Sequence, residues 1–291
     1  MKIKLRFSFT FAIGLALFLT AMPARIAAQS TGSIEFTAHV APTDGQPEPV
    51  RQLTFSLIRK SLDDIRQEAL QLEPAPQLDK FADGLNLSPE LKAWIKKNRT
   101  ADFAGADFAK NLTADDIMDV PEFYGAYMSR NVGFKGVGFP DPKFKEKDRT
   151  ANPEKYNRQK EEYRVAIRKF IVAVPESVTG IEADLNDINP ATKWEQVLSS
   201  HRQRLEKRTL ELAQTRYLVS KTDTNLDGRG WFGGVAPGNY WIGMLGAQAA
   251  SGDVRVRWDV PVTVRAAETA RVELTNFNAA RPYTSARNSN E

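Results

Sequence analysis

Two segments with β patterning lie at opposite ends of a long stretch with helical patterning, and neither can form a stable sheet alone. From Gly32 to Val40 the chain alternates, with Ile34, Phe36, Ala38 and Val40 on one side and Glu35, Thr37 and His39 on the other. Period two over this length predicts a half-buried strand. A loop rich in Pro, Gly and Asp follows over 41–50, and Leu53, Phe55 and Leu57 then alternate in a second strand ending near Lys60. From residue 61 to residue 216 the period is helical. Strands resume with Tyr217 and Val219, Trp231 or Phe232, Tyr240-Ile242-Met244, a run over 254–264 and finally Val272 and Leu274. In the fourth of these, Val254, Val256, Trp258 and Val260 are read as facing inward, with Arg255, Arg257 and Asp259 facing water. Pro261 interrupts that strand, as at an edge or bulge.

A two-stranded hairpin is marginal in water, and the later strands alone would leave an unpaired edge. Two strands plus five make one seven-stranded sandwich. The chain therefore reads as α+β: a discontinuous β-sandwich over 32–60 and 217–277, with a helical insertion domain over 61–216 between its second and third strands. Two independent domains in series would leave 32–60 without sheet partners.

The insertion carries its own start and stop signals. Ser61 caps a helix with Leu62, Ile65, Ala69 and Leu72 on one face, which Pro74 and Pro76 end. Ser88-Pro89 is an N-cap and N1 pair, and Thr113-Ala114-Asp115-Asp116 is a capping-box start. A short helix is expected over 121–130, loop over 131–150, and long helices opening at Asn152-Pro153 and Asn189-Pro190.

The segment Lys221–Met244 holds two turns with a stated mechanism. Asn225-Leu226-Asp227-Gly228 closes one hairpin, and Ala236-Pro237-Gly238-Asn239 leads into a strand beginning at Tyr240. Gly and Asn supply positive φ, and Pro pre-sets it. Thr222-Asp223, Gly228-Arg229 and Pro237-Gly238 with Tyr240 together resemble the signature of carboxypeptidase-regulatory-like domains. The resemblance implies a prealbumin-like (transthyretin-like) Greek-key sandwich, grouped with carbohydrate-binding-like folds and usually a non-catalytic attachment on secreted or surface proteins. It covers the sandwich alone and implies nothing about residues 61–216.

The N-terminus has the layout of a secretory signal peptide over 1–28. Lys2, Lys4 and Arg6 precede an uncharged apolar run from Phe7 to Met22, and Ile26-Ala27-Ala28 offers a cleavage site. An uncleaved membrane anchor is the alternative, but the run is short of the ~20 residues a spanning helix needs. Export removes the basic excess. The whole chain has 40 Lys+Arg against 36 Asp+Glu, and four of the cations lie in the leader, which has no acid. The neutral remainder argues against nucleic acid as a partner. No second apolar run is long enough to span a membrane. The absence of cysteine excludes thiol nucleophiles, thiolate metal sites and a lipoprotein anchor. The tail over 281–291 is expected to be disordered.

Candidate sites are few. Asp223, Asn225 and Asp227 before Gly228 fit the first half of a calcium loop, but Gly234 stands where a bidentate Glu would close it. The same residues read equally as a hairpin turn. Trp231, Trp241 and Phe232 cluster near the hairpin, so an outward-facing aromatic could stack on a glycan or anchor a protein. The inserted helices covering it is the other reading. Asp115, Asp116, Asp119 and Glu122 could form a paired-carboxylate site or be ordinary helix-terminus acids. His39 and His201, the sole histidines, lack companion motifs. The sequence thus points to an exported, non-enzymatic binding or structural module with an envelope or extracellular protein partner. It points to no catalytic residue and to no cofactor beyond the calcium question. A carbohydrate-binding module is the alternative, and a hydrolase housed in the insertion the third reading.

Overall fold

The computed structural model describes residues 30–104, 108, 112–131 and 138–280. The expected leader and the tail over 281–291 lie outside them. Strands β1 (Gly32–Val40), β2 (Glu48–Pro49) and β3 (Thr54–Ile58) come first. Helices α1 (Leu62–Leu72), α2 (Leu78–Asp83), α3 (Pro89–Asn98), α4 (Ala114–Asp119), α5 (Pro121–Arg130), α6 (Asp148–Ala151), α7 (Pro153–Ala173), α8 (Ile181–Asp184) and α9 (Ala191–Leu212) follow. A π turn at Ala213–Tyr217 leads into β4 (Leu218–Asp223), β5 (Arg229–Val235), β6 (Gly238–Gly243), β7 (Ala249–Ser251), β8 (Val254–Val256), β9 (Asp259–Val264) and β10 (Thr269–Leu274).

The strands form two main sheets. In sheet A, β1 is central, with β10 parallel on one side and β5 and the short β2 antiparallel to it. Sheet B has the order β4-β3-β6-β9, and β7 and β8 form a separate hairpin. The inward residues of both sheets share one core: Ile34, Phe36 and Ala38 from β1 meet Phe55 and Leu57 from β3 and Val262 and Val264 from β9. Phe36 packs on Phe55 at 4.9 Å between ring centroids, and Phe55 on Trp258 at 5.8 Å. The opening and closing strands therefore bury their apolar faces against one another, as in a β-sandwich. Their separation in sequence reflects the helices between them.

The expected strand over 254–264 is two strands. Val254 and Val256 pair with β7, Trp258 instead bridges Ala279, and β9 begins at Asp259. Trp258 is fully buried and donates its indole N–H to the Thr275 carbonyl at 2.9 Å, which anchors the break. Asp259 does not face water; its carboxylate is turned toward the N-terminus of α1.

Predicted caps form. The Ser61, Ser88, Thr113 and Asn152 side chains each accept a backbone N–H of the first turn, and Thr113 with Asp116 makes a full capping box. The helical segment has its own core, in which Trp94 packs edge-on to Phe123 at 5.0 Å. A second apolar layer joins helices to sheet. The outward residues Ile58 and Trp241 of sheet B, with Leu218, pack against Leu62, Ile65 and Ala69 of α1 and Leu205 and Leu212 of α9. His201 on α9 places Nε2 2.9 Å from the Glu73 carbonyl at the end of α1.

Candidate functional site

The hairpin residues that carried the family resemblance act through backbone geometry. Gly228 has φ +74°, and a Cβ there would lie 2.5 Å from the Ala38 carbonyl oxygen. A side chain would force the turn off β1, so the close approach needs glycine. Tyr240 points into the core and its hydroxyl donates to the Ala236 carbonyl at 2.9 Å, holding the Pro237-Gly238 turn. Asn225 Oδ1 accepts the backbone N–H groups of Asp227 (3.0 Å) and Arg229 (2.9 Å). Asp223 Oδ1 accepts the Thr54 hydroxyl at 2.6 Å. Among the described residues no three His, Cys, Asp or Glu side chains converge as metal ligands would.

The aromatic trio is dispersed by the pleat. On β5, Phe232 is 2 % exposed and stacks on Phe36 at 5.6 Å, so it offers nothing to a ligand. Trp241 leaves the core side of sheet B but meets the α1/α9 layer, and is partly buried there. Trp231 is 59 % exposed, the one exposed tryptophan of the five. Its indole leans along β5 over Gly233, where a Cβ would lie 2.0 Å from the nearest ring atom. Gly233 and Gly234 form a bulge opposite Ser33, between the Gly32–Val235 and Ile34–Phe232 pairs. Bulges re-aim side chains in this way at functional edges.

Register places other residues beside Trp231. Glu35 lies opposite Trp231 across the β1–β5 ladder and opposite Arg271 across β1–β10, so the three form one row on the outer face of sheet A. Glu35 and Arg271 pair at 3.3 Å, both exposed. The next row is Arg229, Thr37 and Glu273, and beyond the first row Ser33 and Thr269 share a 2.7 Å hydrogen bond. No described helix packs on this face. The alternation of β1 placed Glu35 and Thr37 outward from sequence alone; their neighbours on β5 and β10 had no local signal.

Two acids of the cluster, Asp115 and Asp119, are neutralised by α7. Arg164 bonds Asp119 at 2.6 Å and Asp115 at 3.1 Å, and Arg168 also reaches Asp115. Hydrogen bonds from Arg164 and then Arg168 hold the Asp115 carboxyl below its ordinary range. Glu122 is used elsewhere, accepting both the backbone N–H and the hydroxyl of Ser88. A general acid needs the opposite shift.

Asp259 is the acid the sequence misplaced. It accepts the Leu62 N–H at 2.7 Å, capping α1 from the sheet beneath. Burial pushes its carboxyl up to about 6, with Asp63 and Asp64 adding repulsion against the Leu62 and Asp63 N–H groups. Among the described residues no helix is long and apolar enough to cross a membrane.

No protein-family model matches the chain. No curated protein matches it either. Among solved structures it is similar to a Pseudomonas aeruginosa protein provisionally described as carbohydrate-binding, at 12% identity over 86% of this chain and 92% of that one, with a TM-score of 0.27. The pilus backbone protein RrgB of Streptococcus pneumoniae shares 11% identity over 84% of this chain and 40% of that one, with a TM-score of 0.21. Likeness this low carries no argument about function.

Proposed function

We propose that the chain is an exported, non-enzymatic binding or structural module that recognises a cell-envelope or extracellular partner through the outer face of sheet A. In this reading residues 32–60 and 217–277 are a prealbumin-like Greek-key sandwich, and 61–216 a helical domain inserted between its second and third principal strands. Strands β1, β3, β4, β5, β6, β9 and β10, each of five residues or more, supply the seven.

One observation carries the functional part. Helices α1 and α9 occupy the outer face of sheet B, whereas the outer face of sheet A has no described cover and displays Trp231. Tryptophan is the residue type most enriched among the side chains that dominate binding energy at recognition surfaces. The leader residues Lys2 to Ala28 support export. A hydrolase in the insertion gains nothing from Asp115 and Asp119, whose carboxylates are tied to arginines.

A photo-crosslinking amino acid at Glu273, on the open face, compared with one at Lys169 on α7, tests the reading in native envelope fractions. Adducts are expected at position 273. Adducts confined to position 169 would contradict it.

A further inference from the structure

The outer face of sheet A is small and mixed in character, and these properties select a ligand class. Strands lie ~4.8 Å apart and alternate residues ~6.8 Å apart, so the rows from Ser33 to Thr37 across three strands cover roughly 10 by 13 Å. A stable protein interface buries about 800 Å² per partner around an apolar centre depleted of charge. Here one indole stands among Glu35, Arg271, Arg229, Glu273 and Thr37, with no second exposed apolar side chain in the rows. The charges number two of each sign. A polyanion or an anionic lipid surface would meet Glu35 and Glu273 as readily as the arginines.

A neutral sugar fits what remains. A pyranose ring has one face of C–H groups, which packs on an indole, and a rim of hydroxyls that both donate and accept. Glu35 supplies acceptors and Arg271 supplies planar donors from the same row, and the Ser33 hydroxyl, on the side toward which the indole leans, supplies either. An indole suits a partner that is apolar on one face and wet at its rim, because the ring is itself apolar with one polar edge. Gly233 is the second part of the device, because its missing Cβ lets the indole rest on the strand.

We propose that Trp231, Glu35, Arg271 and Ser33 form a binding site for a neutral glycan, with one sugar ring stacked on the Trp231 indole and its hydroxyls bonded to the other three. This inference rests on the open-face reading above and names its ligand. The test is fluorescence titration of the whole chain with cellohexaose, chitohexaose, maltohexaose and xylohexaose, and with a heparin-derived hexasaccharide as the acidic comparison. Saturable change in tryptophan emission is expected with at least one neutral series and not with heparin. Trp231→Ala should weaken binding at least about tenfold, equivalent to about 1.4 kcal/mol. Gly233→Ala keeps the indole but displaces it, and should also weaken binding. Trp241→Phe should leave the affinity unchanged. Unfolding curves confirm that the exposed-face variants remain folded.

No response to any neutral oligosaccharide overturns the inference, as does equal binding by Trp231→Ala or preference for heparin. Crosslinking at position 273 separates the two levels. A protein adduct there without glycan binding removes the ligand class and leaves the open-face reading standing. Neither adduct nor glycan binding removes both.

Discussion

Replacing Asp259 by asparagine should stabilise this protein at neutral pH, although it removes a charge from a helix N-terminus. The carboxylate lies under α1, accepts the Leu62 N–H at 2.7 Å, and has its pKa raised to about 6 by burial. An unfolded aspartate titrates near 3.9. The folded state thus binds the extra proton between about pH 4 and pH 6, and stability associated with this group rises as pH falls through that window. Above pH 6 the ionised form carries the whole penalty, about 2 to 3 kcal/mol at roughly 1.4 kcal/mol per unit. Asparagine keeps an oxygen acceptor for Leu62 and is itself a favoured helix cap. Asp259→Asn should therefore be more stable than the parent at pH 7.5 by about 1 to 3 kcal/mol, with little difference at pH 4. Glu68, Asp115, Asp148 and Asp253 have lowered pKa values, so their contributions weaken as pH falls. They are common to both proteins and drop out of the difference. Urea unfolding at both pH values, followed by circular dichroism, measures it. A variant less stable at pH 7.5, or a difference independent of pH, would refute the reasoning.

Three further outcomes follow from single side chains. Trp258→Ala removes a fully buried ring and its bond to Thr275, and should lose about 3 to 5 kcal/mol in the same unfolding assay; a loss under 1 kcal/mol would mean the shared core is wrongly assigned. Gly228→Ala must adopt φ +74° against the Ala38 carbonyl and should lose at least about 1 kcal/mol; an unchanged melting temperature would contradict the tight turn. Asn225→Ala hands two backbone N–H groups of an exposed turn over to water and should lose about 0.5 to 1.5 kcal/mol whether or not calcium is present. A melting temperature of the parent chain that rises with calcium chloride would instead favour the ion-binding reading of Asp223, Asn225 and Asp227.

The sequence revealed what local physics controls. Ser61, Ser88, Thr113 and Asn152 announced their helices because a cap is decided within four residues. The alternation of β1 identified its inner and outer faces for the same reason. Pairing across long separations was not legible. Asp259 looked solvent-facing because its partner, Leu62, lies 197 residues away. The break at Trp258 was hidden because alternation continues in phase from β8 through to β9. Trp231 and Phe232 could not be told apart by pattern, since the Gly233–Gly234 bulge shifts the register beside them. For Trp241 the sequence left open display or cover by the inserted helices, and it is the packing of α1 and α9 on sheet B that covers it.

The most direct test asks whether one face of the sandwich is covered and the other open. Hydroxyl-radical footprinting of the folded chain, read by mass spectrometry at each tryptophan, gives that answer in one experiment. Trp231 should be oxidised fastest, with Trp258 and Trp94 protected and Trp241 shielded until α1 and α9 separate from the sheet. Oxidation of Trp241 as rapid as that of Trp231, or protection of Trp231, would contradict the arrangement.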